Sequence, residues 1–140
     1  MLLSLFLLQS SGLDVTGLWT IPPDEVGAPD RGTIEIVMED GAPVGRIATV
    51  GAAYADDPGA ADAVGTKILW DFEADEDDDR WEGGRILDPE ADKTYKSKLE
   101  RDGDTLLVKG CVAFICQTQE WVRADGLVGA GEEAPGRSPL

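Results

Sequence analysis

The sequence predicts an all-β fold, a single eight-stranded up-and-down antiparallel barrel with a short loop or helix between strands three and four. Three observations lead there. Val, Ile, Thr and Trp gather in eight short runs, and Gly, Pro and Asp punctuate them. Several runs alternate with period two, as strands with one buried and one wet face do. Most of the connections are short, and sequential antiparallel strands hide their exposed edges by closing on themselves. A β-sandwich is the structural alternative.

The chain has 140 residues, room for one domain. It begins with the apolar run Leu2–Leu8. That is too short for a bilayer, which takes ~20 apolar residues, and it fits the core of a secretory signal peptide. Ser10 and Gly12 are small residues placed as a cleavage site needs them. The expected organisation is therefore a signal peptide over 1–12, a barrel domain over 13–123 and a tail over 124–140. An N-terminal apolar strand is the other reading of the first segment. The Gly- and Pro-rich tail has little apolar matter and is expected to be disordered. No other stretch approaches a membrane-spanning length, and a periplasmic or secreted location follows from the signal peptide.

The expected strands are Val15–Ile21, Thr33–Glu39, Val44–Val50, Thr66–Glu73, Arg80–Leu87, Thr94–Arg101, Thr105–Val112 and Gln117–Arg123. In the second, Ile34, Ile36 and Met38 share one face against Glu35, Val37 and Glu39. In the fourth, Ile68, Trp70 and Phe72 oppose Lys67, Leu69 and Asp71. In the sixth, Tyr95, Ser97 and Leu99 oppose Lys96, Lys98 and Glu100. Glu39-Asp40-Gly41 and Asp102-Gly103-Asp104 read as hairpin turns, and Asp88-Pro89 opens another. The longer link Gly51–Gly65, rich in Ala, Asp and Gly, has room for a short helix over one end. Gly83-Gly84 reads as a bulge or bend.

Composition narrows the function. Twelve basic residues face 28 acidic ones, a net charge of −16, and there is no histidine. A surface this acidic argues against nucleic acid and against an anionic membrane surface. Without histidine, Ser-His-Asp and Cys-His catalysis and His-containing zinc sites are excluded. No nucleophile elbow, P-loop or dinucleotide fingerprint occurs. The chain reads as a non-enzyme with no cofactor and as a monomer. A hydrolase or isomerase that runs on carboxylates is the least favoured alternative.

Four features remain. Gln117, Gln119, Trp121 and Arg123 share a strand face, which either meets solvent or lines a lumen with a few polar groups. If it is a lumen wall, the ligand-contacting set is Arg46, Trp70, Tyr95, Gln119 and Trp121, with Arg85 as a further cation. The run Glu73–Asp79 holds six acids in seven residues. Asp71, Glu73, Asp75 and Glu82 fall on calcium-loop spacing, but Glu76 stands where such loops need Gly, so a solvated hairpin tip is the preferred reading. Cys111 and Cys116 are too far apart to bond along one continuous strand. A turn through Val112–Ile115 would bring them together, and an oxidising compartment would favour the bond; two buried thiols are the other reading. The apolar turn itself, with Phe114, is suited to capping a barrel end, guarding a pocket or touching a partner.

Three blocks carry a family resemblance. They are Asp14-Val15-Thr16-Gly17-Leu18-Trp19, the stretch Trp81-Glu82-Gly83-Gly84-Arg85-Ile86-Leu87-Asp88-Pro89 with Lys93-Thr94-Tyr95, and Gln119-Glu120-Trp121-Val122-Arg123. In this order and spacing they resemble the bacterial family named domain of unknown function 2147, from Asp14 to Arg123. The resemblance implies an exported protein with a lipocalin-like barrel and implies no activity. Gly17-x-Trp19 and Arg123 are also similar to the lipocalin pattern. There a first-strand Trp closes one barrel end and a last-strand Arg packs over it, which would make Trp19 and Arg123 structural. Two functions follow as expectations. One is a small apolar ligand held in the lumen; the other is a filled barrel that binds an envelope protein through the Phe114 turn or the Gly51–Gly65 link.

Overall fold

A computed structural model of the protein describes residues 12–23 and 25–124. The expected signal segment, Gly12 apart, and the expected tail from residue 125 onward lie outside the described residues. Within them, strand segments alternate with tight turns: β1 (Gly17–Thr20), β2 (Gly32–Glu39), β3 (Ala42–Val50), β4 (Lys67–Trp70), β5 (Glu73–Asp75), β6 (Arg80–Asp88), β7 (Lys93–Asp102), β8 (Thr105–Val112) and β9 (Ile115–Arg123). The sheet runs β4-β3-β2-β1-β9-β8-β7-β6-β5 and closes through a β4–β6 pairing. All its pairs are antiparallel.

The barrel has eight staves because β4 and β5 together form one. The single strand expected over Thr66–Glu73 is broken at Asp71, whose φ is +67°, and both halves pair with β6. The alternation expected there also fails in part. The β3–β4 register shifts between Gly45 and Arg46, and Ile68 and Leu69, neighbours in sequence, are both buried. Elsewhere the pattern holds: Ile34, Ile36, Ser97 and Leu99 point inward and are buried. Met38 leaves the core at the strand's end and is exposed. The β2–β3 turn has positive φ at Asp40 and Gly41, the geometry that keeps a two-residue hairpin in step with strand twist. Gly83 and Gly84 sit at a register break in β6–β7, and a Cβ on Gly84 would collide with the Phe72 ring. The link between β3 and β4 carries two 3-10 turns, Ala52–Tyr54 and Ala60–Ala63.

The two ends of the barrel differ. At the end that holds the β2–β3 and β7–β8 turns, Val15, Trp19, Leu69, Phe72, Trp81, Leu99 and Leu106 form a closed core. Each such side chain contributes about 1.5–3 kcal/mol by leaving water. Residues 12–16, expected partly as strand, instead cross this end as a plug. Backbone atoms of the plug are held from four sides. Gly12 N–H donates to Asp79 Oδ2 (2.8 Å), and Arg101 N–H donates to the Gly12 carbonyl (3.1 Å). Trp81 Nε1 donates to the Leu13 carbonyl (2.8 Å) and Trp19 Nε1 to the Val15 carbonyl (2.9 Å). The opposite end is open.

Candidate functional site

The open half of the barrel is a cavity of about 630 Å³, within the size range of small-molecule sites. Its floor and walls are apolar: Ile34, Ile47, Ile68, Ile86, Val108 and Trp121 all line it. They do so because inward positions of β2, β3, β6, β8 and β9 alternate with outward ones, so each strand contributes every second residue. Ile34 pairs with Ile47, and Val108 pairs with Gln119.

β9 supplies the polar wall. Gln117, Gln119 and Trp121 all line the cavity, so the face that left two readings open is a lumen wall. Trp121 is buried at its base, and its Nε1 donates to Gln119 Oε1 at 2.9 Å. Tyr95, inward on β7 opposite Ile86, also lines the cavity. Arg123 does not reach it. One step beyond Trp121, it pairs with Trp19. Its guanidinium lies 5.3 Å from the Trp19 ring centre, and its Nη1 donates to the Thr16 carbonyl (3.0 Å). Arg101 lies 5.8 Å from the same ring and donates to the Asp14 carbonyl (3.0 Å). Trp19 and Arg123 therefore sit in the closed end.

Three residues expected in the lumen are elsewhere. Arg46 pairs with Glu35 in an outward register and forms an ion pair with Glu39 at 2.5 Å. That guanidinium holds the Glu39 carboxyl below its ordinary range, and Glu39 in turn raises Arg46. Trp70 is half-buried and pairs with Arg85, and neither of them lines the cavity. The break at Asp71 and the shift in β3–β4 register explain this: Leu69 takes the inward position, which turns Trp70 outward.

The mouth was not legible beforehand. Tyr54, from the 3-10 turn after β3, donates its hydroxyl to Glu90 Oε2 at 2.5 Å, and Arg31 Nε donates to the same hydroxyl (3.4 Å). This latch ties the β3–β4 link to the β6–β7 turn across the rim. Burial raises the Tyr54 phenol above its ordinary value, and the Glu90 acceptor raises it further, against Arg31. Asp57 and Asp88 also lie at the rim. The only advance signal was the expectation of a short helix in Gly51–Gly65; no spacing ties Tyr54 to residues 36 positions away.

The hairpin from β8 to β9 forms another part of the rim. Cys111 and Cys116 pair across it and form a disulfide. Val112 and Ile115 line the cavity, while Phe114 at the tip is 91% exposed. Far from the mouth, Asp75, Asp78 and Glu82 come together. Arg80 already sits among them, ion-paired with Asp78 and Glu82, as in a solvated hairpin tip.

Comparison with known proteins agrees with this architecture. The family model described as an uncharacterized protein conserved in bacteria (DUF2147) matches residues 17–123. Among solved structures, the chain is similar to the Helicobacter pylori protein HP1028, which is described as belonging to the lipocalin family. The TM-score is 0.60 at 12% identity, over 84% of this chain and 88% of that one. That likeness shows a shared fold. No curated protein matches the chain.

Proposed function

This chain belongs to the uncharacterised bacterial family DUF2147, and from that premise we propose that it is an exported carrier that holds a small, mostly apolar molecule in its barrel. The cavity of about 630 Å³ carries the reading. A filled barrel would leave no such space between the inward residues of its open half. Ligand burial would be driven by apolar area leaving water, ~25 cal/mol per Å², with Gln119, Trp121 and Tyr95 orienting the ligand. Export is supported by the apolar run Leu2–Leu8 and by the Cys111–Cys116 disulfide, since such bonds persist in oxidising compartments. The proposed location is the periplasm or the medium, and the proposed role is carriage without a catalytic step.

One observation favours a second reading, a module that binds an envelope protein. Val112, Phe114 and Ile115 form an exposed apolar tip beside the mouth, of the kind that marks contact sites. Native mass spectrometry of the gently purified protein separates the two. An extra non-covalent mass that denaturation removes, or uptake of the neutral dye Nile red, is the outcome expected of a carrier. A protein that stays empty after incubation with the dye and with a mixture of apolar compounds sends the search to partners of the Phe114 tip.

A further inference from the structure

We propose that the lumen selects an uncharged ligand bearing a hydrogen-bonding oxygen, an alcohol, ketone or amide on an apolar body, and refuses carboxylate-headed amphiphiles. The inference rests on the carrier reading and deepens it.

The polar side chains of the wall are Gln117, Gln119 and Tyr95. Ser97, Gly110 and Gln117 stand in register across β7, β8 and β9. Gly110 leaves a notch between the other two: a Cβ there would have only Ile86 Cγ2 near it, at 3.7 Å. Ser97 is 1% exposed and does not itself line the cavity; its hydroxyl has no hydrogen-bond partner among the described residues. A buried polar group in that condition costs ~1–3 kcal/mol. Gln119, the next inward residue after Gln117, has its Oε1 engaged by Trp121, so its amide N–H groups are what it offers the cavity. Tyr95 lies two residues from Ser97 on the same face and adds a hydroxyl.

Every member of this patch is neutral. The cations that would receive a carboxylate, Arg46 and Arg85, are outside the lumen. At the rim Asp57, Asp88 and Glu90 outnumber Arg31, and the whole chain carries −16. An anionic head group would therefore pass an acidic rim and find no countercharge below it among the described residues. A buried ion without a partner is costly, whereas a neutral oxygen finds donors and acceptors in the patch.

The test is competition against Nile red on the purified protein with its disulfide intact. The competitors are decanol, decanoate, decylammonium and decane at pH ~8, where the carboxylate is ionised. Decanol is expected to displace the dye at a concentration at least ~10-fold below decanoate. Gln117→Leu is expected to weaken decanol ~3–10-fold and to leave decane unchanged, as loss of a neutral hydrogen bond would. Tyr95→Phe is the second variant should Gln117→Leu not fold, which circular dichroism reports. Decanoate competing as well as decanol overturns the inference and leaves the carrier standing. So does decylammonium competing best, which would mean a head group held by the rim acids. Failure of Nile red and of all four compounds to bind removes the carrier reading itself.

Discussion

Replacing Trp19 by Phe asks whether this residue closes the barrel or serves the ligand. Three losses are expected. Phe cannot donate to the Val15 carbonyl, now 2.9 Å from Trp19 Nε1, and Val15 is fully buried, so an acceptor is orphaned at a cost of ~1–3 kcal/mol. The guanidiniums of Arg123 and Arg101, 5.3 and 5.8 Å from the ring, lose part of a cation–π contact that is worth ~0.5–1 kcal/mol each at partly exposed sites. The smaller ring leaves a gap in a core where Trp19 is fully buried, about 1 kcal/mol more. The sum is ~3–5 kcal/mol, a large share of the ~5–15 kcal/mol by which such domains are stable. In urea, with a slope of ~1–3 kcal/mol per molar, the unfolding midpoint should fall by about 2 M. Nile red affinity of the folded variant should stay within ~2-fold, because Trp19 does not line the cavity. A stability loss under ~1 kcal/mol together with a tenfold loss of dye binding would refute the argument and move Trp19 into the ligand site.

The remaining predictions are simpler to read. Gly110→Leu places a side chain in the notch, where Ile86 Cγ2 is the nearest atom to the new Cβ at 3.7 Å; it should abolish dye uptake in calorimetry while circular dichroism keeps the native spectrum. Reducing Cys111–Cys116, which spans five positions, should cost about 2 kcal/mol by the loop-entropy relation, seen as a lower urea midpoint. The Tyr54 phenol should titrate above the ordinary tyrosine value because of burial and its bond to Glu90. Since its folded value is raised, the contribution of the latch is fully present below pH ~10 and is lost as pH rises through the folded value. Comparing ultraviolet titrations of the protein and Tyr54→Phe should show the missing ionisation on the high side; one at or below the ordinary value would contradict the latch.

How far the site could be read in advance varies from strand to strand. On β9 the sequence pattern grouped the right residues but left open whether their face met solvent or the lumen. Gln117, Gln119 and Trp121 alternate without interruption, and an unbroken strand must put them on one side. Tyr95 follows by the same rule on β7. On β4 the rule misled, because a bulge and the positive φ of Asp71 move Leu69 inward and Trp70 outward. Nothing in the residues themselves distinguishes a tryptophan that faces the lumen from one that faces outward. Arg46 was misread for a related reason. On a strand such as β3, where both faces hold apolar residues, the alternation does not say which side is wet. The closure pair was legible through resemblance: Trp19 and Arg123 lie 104 positions apart and meet because β1 and β9 are neighbours.

By itself the sequence determined that this is an all-β chain with eight staves. The net charge of −16 and the lack of histidine were equally plain. These are properties of local alternation, turn residues and composition, which need no partner in space. Only the tertiary structure decided that one half of the barrel is plugged by residues 12–16 and filled, while the other is an open cavity with mostly apolar walls and charged residues at its latched rim. The plug depends on backbone atoms that meet Trp81, Arg101 and Asp79 across the fold. The latch depends on Tyr54 meeting Glu90. Whether inward residues meet one another or enclose space depends on strand tilt and on where the plug stops. Those are collective properties of a closed sheet, and no single strand encodes them.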